Sequence, residues 1–352
     1  MLTYLRNLLK LARDDRRLVP QAVIFHVSGQ CNFNCAYCED YGARRNSQTD
    51  APISLDDALH VLRVIRTGAD SLILTGGEPL LHPQIDEIVR AAKNDFRFRQ
   101  LTLITNGLLL PNHETLLPAL DRLIVSLDSI DMQMWSAIIN MPAATAQSIL
   151  DNIVRYAAIQ KKHGYTMIVN AVLNPQTIPG ALVLLDFCER NHLLVSFSPQ
   201  AVLNLPQYDL LVSEEYQRLL DALIERKKRG APILGSCAYL QTLRDMNPYD
   251  CYPLLVPRVM PDGGLVYPCR PLEKAHDGQG GRDANLLQVE HWDEADDKSF
   301  EMYGKPPRVC TSCFQQCYAE PSLMQARPLT FLWENLRYPA SRKGNLTTYA
   351  PG

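Results

Sequence analysis

The stretch that decides the fold is "AVIFHVSGQCNFNCAYC", residues 22–38, in which an apolar run is followed at once by three cysteines. Its first part, residues 22–28, has the β-branched and aromatic content of a buried strand. Its second part places Cys31, Cys35 and Cys38 directly after that strand. In parallel α/β sheets, reactive groups gather at the carboxyl ends of the strands. The stretch therefore predicts a strand that carries a group of thiols to a functional site.

Further apolar strands alternate with helical segments up to about residue 229. The predicted strands cover residues 71–76, 101–107, 122–129, 165–173 and 192–200. The predicted helices between and after them include residues 54–68, 82–94 and about 213–229, the first of them capped by Ser54. Six strand–helix units are typical of a parallel sheet that is covered on both faces. Because six units are too few for a closed eight-stranded barrel, we predict an α/β fold with an open, partial (β/α)6 TIM-like barrel.

The chain divides into three predicted parts. Residues 1–20 carry leucines at helical spacing with basic residues between them, which favours an amphipathic helix packed on the protein's own flank over a helix on a membrane surface. Residues 21–235 form the predicted core domain. Residues 236–352 are rich in proline, glycine and cysteine and form a small cysteine-rich region with a C-terminal tail. Within it "VPRVMPDGGLVYPC", residues 256–269, predicts a hairpin, because Pro-Asp-Gly-Gly joins two short extended runs.

The composition narrows the classes of function. The chain has 352 residues, 46% of them hydrophobic and 21% charged, and a formal net charge of -3, which argues against a general nucleic-acid binder. We find neither a signal peptide nor an apolar run of roughly 18 residues that could span a membrane, so a cytoplasmic location is the default. In a reducing cytoplasm the ten cysteines indicate metal binding or catalysis rather than a disulfide framework.

The first group of cysteines contains three thiols and lacks an obvious fourth partner nearby in the sequence. A structural zinc site normally needs four protein ligands. Three thiolates on a cubane iron–sulfur cluster leave one iron open, and that iron can bind a substrate or cosubstrate. The number three therefore favours an iron–sulfur cluster with a chemical function.

Three motifs at the ends of the following strands complete a family pattern. They are "TGGEPLL" (75–81), "ITNG" (104–107) and "SLDS" (126–129). Together with the spacing Cys-x3-Cys-x2-Cys after the first strand, they resemble the radical S-adenosylmethionine (SAM) enzymes over roughly residues 20–230. The resemblance implies that the following residues contact SAM: Tyr37, Gly76, Gly77, Glu78, Pro79, Asn106, Ser126, Asp128 and Asn170.

The resemblance also implies a role for each part of the motif set. Glu78 and the backbone beside it would receive the methionine amino group, and Tyr37 would lie against the adenine. Ser126 and Asp128 would contact the ribose or the methionine portion, with Asn170 a further candidate. Read by themselves, a Gly-Gly-Glu-Pro is often only a turn and a Ser-x-Asp can be a helix cap.

The implied chemistry is radical formation at a metal cluster. Cys31, Cys35 and Cys38 would bind a [4Fe–4S] cluster that chelates SAM. One electron, from a donor such as flavodoxin or ferredoxin, would cleave SAM to methionine and a 5′-deoxyadenosyl radical, which removes a hydrogen atom from an unactivated carbon. The cofactor carries the difficult chemistry and the protein positions the substrate.

The second group of cysteines surrounds the predicted hairpin. Cys251 and Cys269 flank it, and "CTSCFQQC" supplies Cys310, Cys313 and Cys317. This region resembles the auxiliary-cluster region of the SPASM and twitch subgroup of radical SAM enzymes. We predict an auxiliary iron–sulfur cluster of the [4Fe–4S] type on Cys251, Cys269, Cys310 and Cys313, with Cys317 competing for the last position. A structural zinc on the same thiolates is the alternative.

The remaining cysteines and one arginine have individual interpretations. Cys188 falls in a helix and is expected to be buried packing. Cys237 and Cys317 are left over as candidate catalytic thiols that could donate a hydrogen atom to a substrate radical. Arg270, directly after Cys269, is expected in a surface salt bridge, with an acidic substrate group as the alternative partner.

Several functions fit this pattern. The first is an oxidoreductase that oxidises the carbon of a small-molecule alcohol or amine, with the auxiliary cluster accepting an electron. The second is redox-neutral chemistry, such as epimerisation, dehydration or C–C bond formation on a sugar, nucleoside or lipid. The third is modification of a ribosomal peptide, and the fourth is a non-catalytic iron–sulfur or zinc scaffold. No stretch of the sequence names the substrate.

Overall fold

A computed structural model describes residues 2–41, 51–202, 205–275, 277–310 and 313–338 of the chain. Residue 1 of the predicted N-terminal part and residues 339–352 of the predicted tail lie outside the described residues. The same is true of residues 311 and 312, between the last two cysteines that we expect to bind the auxiliary cluster.

The core is a sheet of eight strands in the order β11-β10-β1-β2-β3-β4-β5-β6. Strands β1 to β6 are all parallel and adjacent in sequence order, as the predicted strand–helix units require. The six strands are β1 Val23–His26, β2 Ser71–Thr75, β3 Gln100–Thr105, β4 Arg122–Ser126, β5 Thr166–Leu173 and β6 Leu194–Pro199. The sheet order has two ends, β11 and β6, so the predicted open barrel is confirmed.

Helices cover the sheet between the strands. The helices of the barrel part are α1 Leu2–Ala12, α2 Leu55–Gly68, α3 Ile85–Asn94, α4 Met132–Ile139, α5 Ala143–His163, α6 Ala181–Arg190, α7 Tyr208–Leu211 and α8 Glu214–Lys228. The Ser54 side chain caps α2 by accepting a hydrogen bond from the Asp57 main-chain N–H, as predicted. The apolar faces of these helices and strands form one continuous buried core.

The cysteine-rich region contributes shorter elements. Its helices are α9 Cys237–Asp245, α10 Arg270–Ala275, α11 Trp292–Tyr303, α12 Gln316–Ala326 and α13 Pro328–Arg337. The remaining strands of the chain are β7 Ala201–Val202, β8 Leu205–Pro206, β9 Tyr249–Asp250, β10 Arg258–Val259, β11 Leu265–Val266 and β12 Val309–Cys310. The predicted hairpin is confirmed as the antiparallel pair β10 and β11.

The hairpin also joins the barrel sheet, which the sequence did not indicate. Strand β10 lies parallel to β1, with Arg258 opposite Ile24 and Val259 opposite Phe25. The Ile24 main-chain N–H donates to the Pro257 carbonyl at 2.9 Å. The first strand of an open sheet presents unpaired main-chain groups at its edge. The cysteine-rich region satisfies them, so it is built onto the barrel and does not merely follow it.

The N-terminal helix packs on the protein's own flank, as expected. The Tyr4 hydroxyl of α1 donates to the Met324 carbonyl of α12 at 2.9 Å, and the Asn7 carboxamide both donates to and accepts from the main chain of Val19. Leu5 and Leu9 remain exposed. Among the described residues, no helix combines the length and the apolar character needed to cross a membrane.

Candidate functional site

Two loops meet at the carboxyl end of β1 and β2, and glycines allow them to touch. The Gly77 main-chain N–H donates to the Ser28 carbonyl at 2.9 Å, and the Glu78 N–H donates to the Gln30 carbonyl at 2.7 Å. A Cβ atom on Gly76 would lie 2.4 Å from the Ser28 carbonyl oxygen, and one on Gly77 would lie 2.2 Å from the Gln30 carbonyl oxygen. Only glycine permits this approach. The Gly-Gly pair therefore fixes the start of the cysteine loop against the end of β2.

The Glu78 carboxylate braces this junction from inside. It is fully buried, and it accepts hydrogen bonds from the Leu80 N–H at 3.0 Å, the Thr105 hydroxyl at 2.7 Å and the Asn106 N–H at 2.7 Å. Burial raises the pKa of Glu78 to about 7, although these donors oppose the shift. Both oxygens are thus engaged by the protein itself. The predicted contact between the Glu78 carboxylate and the amino group of SAM stays a prediction.

The three thiols of the first group lie half-buried on the loop that follows β1. The Cys31 sulfur accepts a hydrogen bond from the Phe33 N–H at 3.4 Å, and the Cys38 sulfur accepts one from the Tyr41 N–H at 3.2 Å. Burial raises the pKa of Cys31 to about 11 and that of Cys35 to about 12, and the neighbouring thiols of the group raise both further. Main-chain donors to sulfur are a feature of iron–sulfur ligands. A bound metal cluster would have to displace the protons that these raised pKa values retain, and three thiols on one loop with main-chain donors to sulfur fit such a cluster.

Tyr37, which is half-buried on this loop, pairs with the buried Asp128. The Tyr37 hydroxyl donates to the Asp128 carboxylate at 2.7 Å, and the Val172 N–H donates to the other carboxylate oxygen at 2.8 Å. Burial raises the pKa of Asp128 to about 7. Asp128 therefore orients Tyr37 and ties the end of β4 to β5. Its predicted contact with SAM stays a prediction.

A cavity of about 320 Å³ opens next to Tyr37, and we call it the mouth cavity. It is bounded by the carboxyl halves of β5 and β6, by the cysteine loop and by the cysteine-rich region. Its polar lining residues are Tyr37, Glu39, Asp40, Asn170, Ser196, Ser198, Gln200, Arg258, Arg270, Lys274, Gln315, Gln316 and Cys317. The predicted SAM contacts Tyr37 and Asn170 thus line it, and the Ser196 hydroxyl donates to the Asn170 side-chain carbonyl at 2.8 Å.

The other predicted SAM contacts lie around the mouth cavity without lining it. Ser126 is paired in register with Asn170 across β4 and β5. The Asn106 carboxamide donates to the Asn32 side-chain oxygen at 2.7 Å, so it holds the loop after β3 against the cysteine loop. Pro79 begins the 3-10 turn Pro79–Leu81 that continues the Gly-Gly-Glu loop. All of these residues gather at the carboxyl edge of the sheet, as the strand-end motifs predict.

The structure brings the cysteines of the second group together. The Cys251 and Cys310 thiols share a hydrogen bond, which raises the pKa of Cys251 together with burial, and the Cys313 N–H donates to the Cys310 sulfur at 3.5 Å. The nearby Cys310 and Cys317 thiols also raise the pKa of Cys269, which burial brings to about 12. Cys313 is buried, whereas the Cys317 side chain reaches the mouth cavity. Within the described residues, no three cysteine, histidine or acidic side chains enclose a single metal ion.

Two leftover cysteines have separate surroundings. Cys188 is completely buried on α6, as expected for a packing residue. Cys237 begins α9, where its N–H donates to the Glu334 carboxylate at 2.8 Å and its thiol lies near Lys227. Cys237 is not among the described residues that line the mouth cavity. The structure therefore does not bring this predicted hydrogen donor to the cavity, and its catalytic role stays a prediction.

Arg270 lies in the wall of the mouth cavity, whereas the sequence predicts a position on the protein surface. Its guanidinium is 3.1 Å from the Asp40 carboxylate, and Lys274 pairs with the same carboxylate. Arg270 also pairs with Glu273, and its side chain is only 10% exposed. The expected salt bridge exists, but it is partly buried because α10 turns back over the cysteine loop.

Sequence reasoning missed two polar residues of the barrel interior, Arg258 and His26. Arg258 donates to the Gln315 side-chain oxygen at 3.0 Å and contacts the Cys317 sulfur at 3.5 Å. The His26 Nδ1 atom lies 2.9 Å from the Tyr41 hydroxyl. Burial lowers the pKa of His26 to about 3, so its ring is neutral. His26 could have been found from the sequence, because a histidine within an apolar strand is unusual. Arg258 could not, because its stretch of sequence indicates only a hairpin.

The fold is that of a class of metalloenzyme domains, the radical SAM domains. Residues 25–184 match the family described as "Radical SAM superfamily", and this part of the chain is a radical SAM domain. Residues 202–334 match a family described as "Domain of unknown function (DUF3463)".

Curated relatives match part of the chain. A "GTP 3',8-cyclase 2" of Mycobacterium tuberculosis is 36% identical over 176 residues, which are 48% of this chain and 47% of that protein. A "Probable GTP 3',8-cyclase" of Methanococcus aeolicus is 27% identical over 211 residues, 57% of this chain and 68% of that protein. The chain thus spans about half to two thirds of the length of these relatives.

A solved structure shares the fold over most of the chain. Streptococcus suis SuiB bound to S-adenosylmethionine aligns with a TM-score of 0.63 and 19% identity, covering 85% of this chain and 70% of that one. At this identity the likeness concerns the fold alone. It extends beyond the barrel and therefore includes part of the cysteine-rich region.

Proposed function

We propose that this protein is a radical SAM enzyme that removes a hydrogen atom from a small organic substrate held in the mouth cavity. The observation that carries the proposal is the junction of the cysteine loop with the Gly76-Gly77-Glu78 loop, directly beside a cavity lined by Tyr37 and Asn170. Cys31, Cys35 and Cys38 would hold a [4Fe–4S] cluster. When bound, this cluster and SAM would supply a 5′-deoxyadenosyl radical.

The residues of the chain would bind and position the reactants. Tyr37, oriented by Asp128, offers an aromatic face at the cavity wall, and the Asn170 carboxamide is oriented by Ser196. The main chain of the Gly-Gly-Glu loop would accept from the amino group of SAM, while Glu78 keeps that loop in place. The partly enclosed cavity would keep water away from a reactive substrate carbon.

We further propose an auxiliary iron–sulfur cluster on Cys251, Cys269, Cys310 and Cys313. A cubane cluster binds each thiolate through a different iron, so its ligands need not converge on one ion. Such a cluster would accept one electron from the substrate. Loss of a hydrogen atom, an electron and a proton then amounts to a two-electron oxidation of an alcohol or amine carbon. The ten free cysteines suit the reducing cytoplasm, where flavodoxin or ferredoxin could supply electrons.

The experiment that tests both cluster proposals is anaerobic reconstitution followed by measurement of iron and sulfide per chain. We expect about eight irons in the wild type and about four in the Cys31/Cys35/Cys38→Ala variant, since each cubane holds about four. Cys188→Ala is the matched control, because it removes a buried packing thiol only and should keep the full iron content. A wild type with about four irons and bound zinc, together with a triple variant that lacks iron, would contradict the auxiliary cluster. An iron content that is the same in the wild type and the triple variant would contradict the cluster on Cys31, Cys35 and Cys38.

Formation of 5′-deoxyadenosine tests the radical chemistry itself. Reduced wild-type protein with SAM should release it slowly even without substrate, and the Cys31/Cys35/Cys38→Ala variant should release none. Equal release from both proteins would contradict the assignment of these three cysteines.

Redox-neutral chemistry is a second candidate, favoured by the position of Cys317. Its thiol reaches the mouth cavity, whereas Cys313 is buried beside it. The relatives named as cyclases are also not named for a net oxidation. Cys317 would give its hydrogen atom to the substrate radical, forming a C–H bond and a thiyl radical. One electron from the external donor and one proton from water would then restore the thiol.

Solvent deuterium distinguishes the two candidates. If Cys317 donates the hydrogen atom, product formed in D2O carries deuterium at the reacting carbon, and Cys317→Ala abolishes that label while retaining about eight irons. If the reaction is an oxidation, the product lacks this label. Loss of about four irons in Cys317→Ala would instead assign Cys317 as the fourth auxiliary ligand. A substrate screen for these assays should include peptides, since SuiB has also been solved bound to the precursor peptide SuiA.

A further inference from the structure

A second, smaller cavity lies inside the barrel next to the mouth cavity, and we call it the inner cavity. Its volume is about 170 Å³. Its lining residues are Ile24, His26, Ile73, Thr75, Thr102, Ile104, Arg122, Ile124, Arg258 and Cys317. Both cavities share Ile104, Ile124, Arg258 and Cys317 in their walls. A ligand in the mouth cavity could therefore extend one end into the barrel.

Arg258 carries an unused hydrogen-bond donor into this space. The Arg258 side chain is half-buried, and its buried Nε atom has no hydrogen-bond partner among the described residues. The remaining contacts of the guanidinium are with Gln315, the Cys317 sulfur and the face of the Tyr318 ring, 5.3 Å from the ring centroid. Burying a cation is costly unless an anion and hydrogen bonds compensate for lost water. None of these three contacts is a carboxylate.

His26 adds a second polar atom to the same cavity. Its Nε2 atom is buried and has no hydrogen-bond partner, while Nδ1 contacts the Tyr41 hydroxyl. In the tautomer in which Tyr41 donates to Nδ1, the Nε2 atom carries the proton and offers it to the cavity. Two buried atoms that line one cavity without a partner call for a ligand, because buried polar groups are nearly always satisfied.

The charges around the inner cavity are predominantly positive. Its described lining contains two arginines and lacks an acidic residue. The second arginine, Arg122, is next to the carboxamide of Gln100. The Asp40 carboxylate also acts on Arg258, but it forms ion pairs with Arg270 and Lys274. Apart from the arginines and His26, the described lining consists of four isoleucines, two threonines and Cys317.

We propose that the inner cavity binds the oxyanion end, a carboxylate or a phosphate, of a substrate whose remaining body is apolar. The planar guanidinium of Arg258 suits both oxyanions, with His26 Nε2 as an additional donor. The isoleucines would contact the apolar part, whose far end would reach the mouth cavity. This inference rests on the proposed function, since it names the substrate class for the same site.

The test uses three probes with the same six-carbon tail: hexanoate, hexyl phosphate and the neutral 1-hexanol. Each is titrated into the reconstituted protein by calorimetry at constant ionic strength. We expect at least one anionic probe to bind roughly tenfold more tightly than hexanol, about 1.4 kcal/mol. Preference for hexanoate, for hexyl phosphate or for both identifies the oxyanion. Equal affinity of all three probes, or no binding, would overturn the inference.

Variants assign the binding to this cavity. Arg258→Gln should remove the preference for the anion, and Ile73→Phe, which fills the inner cavity, should weaken every tailed probe. Arg155→Gln, an exposed arginine on α5, is the control and should change neither. An unchanged preference in Arg258→Gln, or unchanged affinities in Ile73→Phe, would contradict the assignment. Should Arg258→Gln fail to fold, Ile73→Phe still decides it.

Iron content and 5′-deoxyadenosine formation are measured on the same preparations. Normal values together with a lack of anion preference would overturn this inference alone. A protein that lacks iron would contradict the proposed function, and the binding of the probes would still report on the cavity.

Discussion

Replacing Gly77 by alanine should separate the junction of the two loops, and the structure allows the effect to be worked out. The added Cβ would lie 2.2 Å from the Gln30 carbonyl oxygen, 2.6 Å from its carbon and 3.0 Å from the Cys31 Cβ. These neighbours are main-chain atoms and the Cβ atom of Cys31, so none can rotate away. One of the two loops must move by about 1 Å to restore ordinary van der Waals contact.

That movement breaks the hydrogen bonds that close the junction. The Gly77 N–H to Ser28 carbonyl bond and the Glu78 N–H to Gln30 carbonyl bond are each worth about 0.5–1.5 kcal/mol. Overpacking adds about 1–3 kcal/mol. We therefore expect Gly77→Ala to lower the free energy of unfolding by about 2–6 kcal/mol.

The assay is urea unfolding together with iron per chain after reconstitution. Gly77→Ala should also lose about four irons, because the displaced segment carries Cys31. Gly180→Ala is the matched control, since the Cβ there would have only the Ser129 hydroxyl within 4 Å, at 3.9 Å, and should change stability by less than about 0.5 kcal/mol. A Gly77→Ala protein with wild-type stability and full iron content would refute this account of the junction.

Three further substitutions test the surroundings of the site. His26→Gln should make the stability less sensitive to acid, because burial lowers the pKa of His26 to about 3 in the folded protein. As the pH falls from 6.5 to 5, the unfolded wild-type chain takes up a proton that the folded one does not, and the free energy of unfolding decreases by about 1–2 kcal/mol. Urea titrations at both pH values measure this loss, and an equal loss in His26→Gln would contradict the prediction. Tyr37→Phe removes the hydroxyl that donates to Asp128 and should cost about 1–3 kcal/mol by the same method; an unchanged value would mean that water replaces the donor. Arg16→Met should cost about 2–4 kcal/mol and reduce the iron bound by the second cysteine group, because the Arg16 guanidinium donates to three main-chain carbonyls of that region, whereas the exposed Arg6→Met should do neither.

The local sequence was sufficient to predict the barrel strands and the edge of the sheet at which the motif residues gather. Apolar runs and turn residues determine where each strand begins and ends, and parallel strands must deliver their carboxyl ends to one edge. The motif residues Tyr37, Gly77 and Asn170 consequently gather where the sequence predicts. Ser54 likewise caps its helix, because capping depends only on residues within one turn.

The interior of the site depends on contacts that no local pattern contains. Arg258 reaches the barrel because β10 pairs with β1 across more than 230 residues of chain, and only a long-range pairing can reveal this. The role of Glu78 as a brace depends on the alignment of β2 with β3, which brings the Asn106 N–H and the Thr105 hydroxyl to its carboxylate. The motif predicts a functional glutamate there, whereas its three partners come from the tertiary structure.

The pairing of β10 with β1 links the cysteine-rich region to the chemistry of the barrel. Ile24 and Arg258 are opposite each other in register and line the same inner cavity. A slip of one residue would exchange Arg258 for Val259, which now packs in the apolar core on the other face. Strand β1 also continues into the cysteine loop, so its position affects the first three thiols and the inner cavity together. Any change that detaches β10 should therefore disturb the three-cysteine loop and the inner cavity in one step.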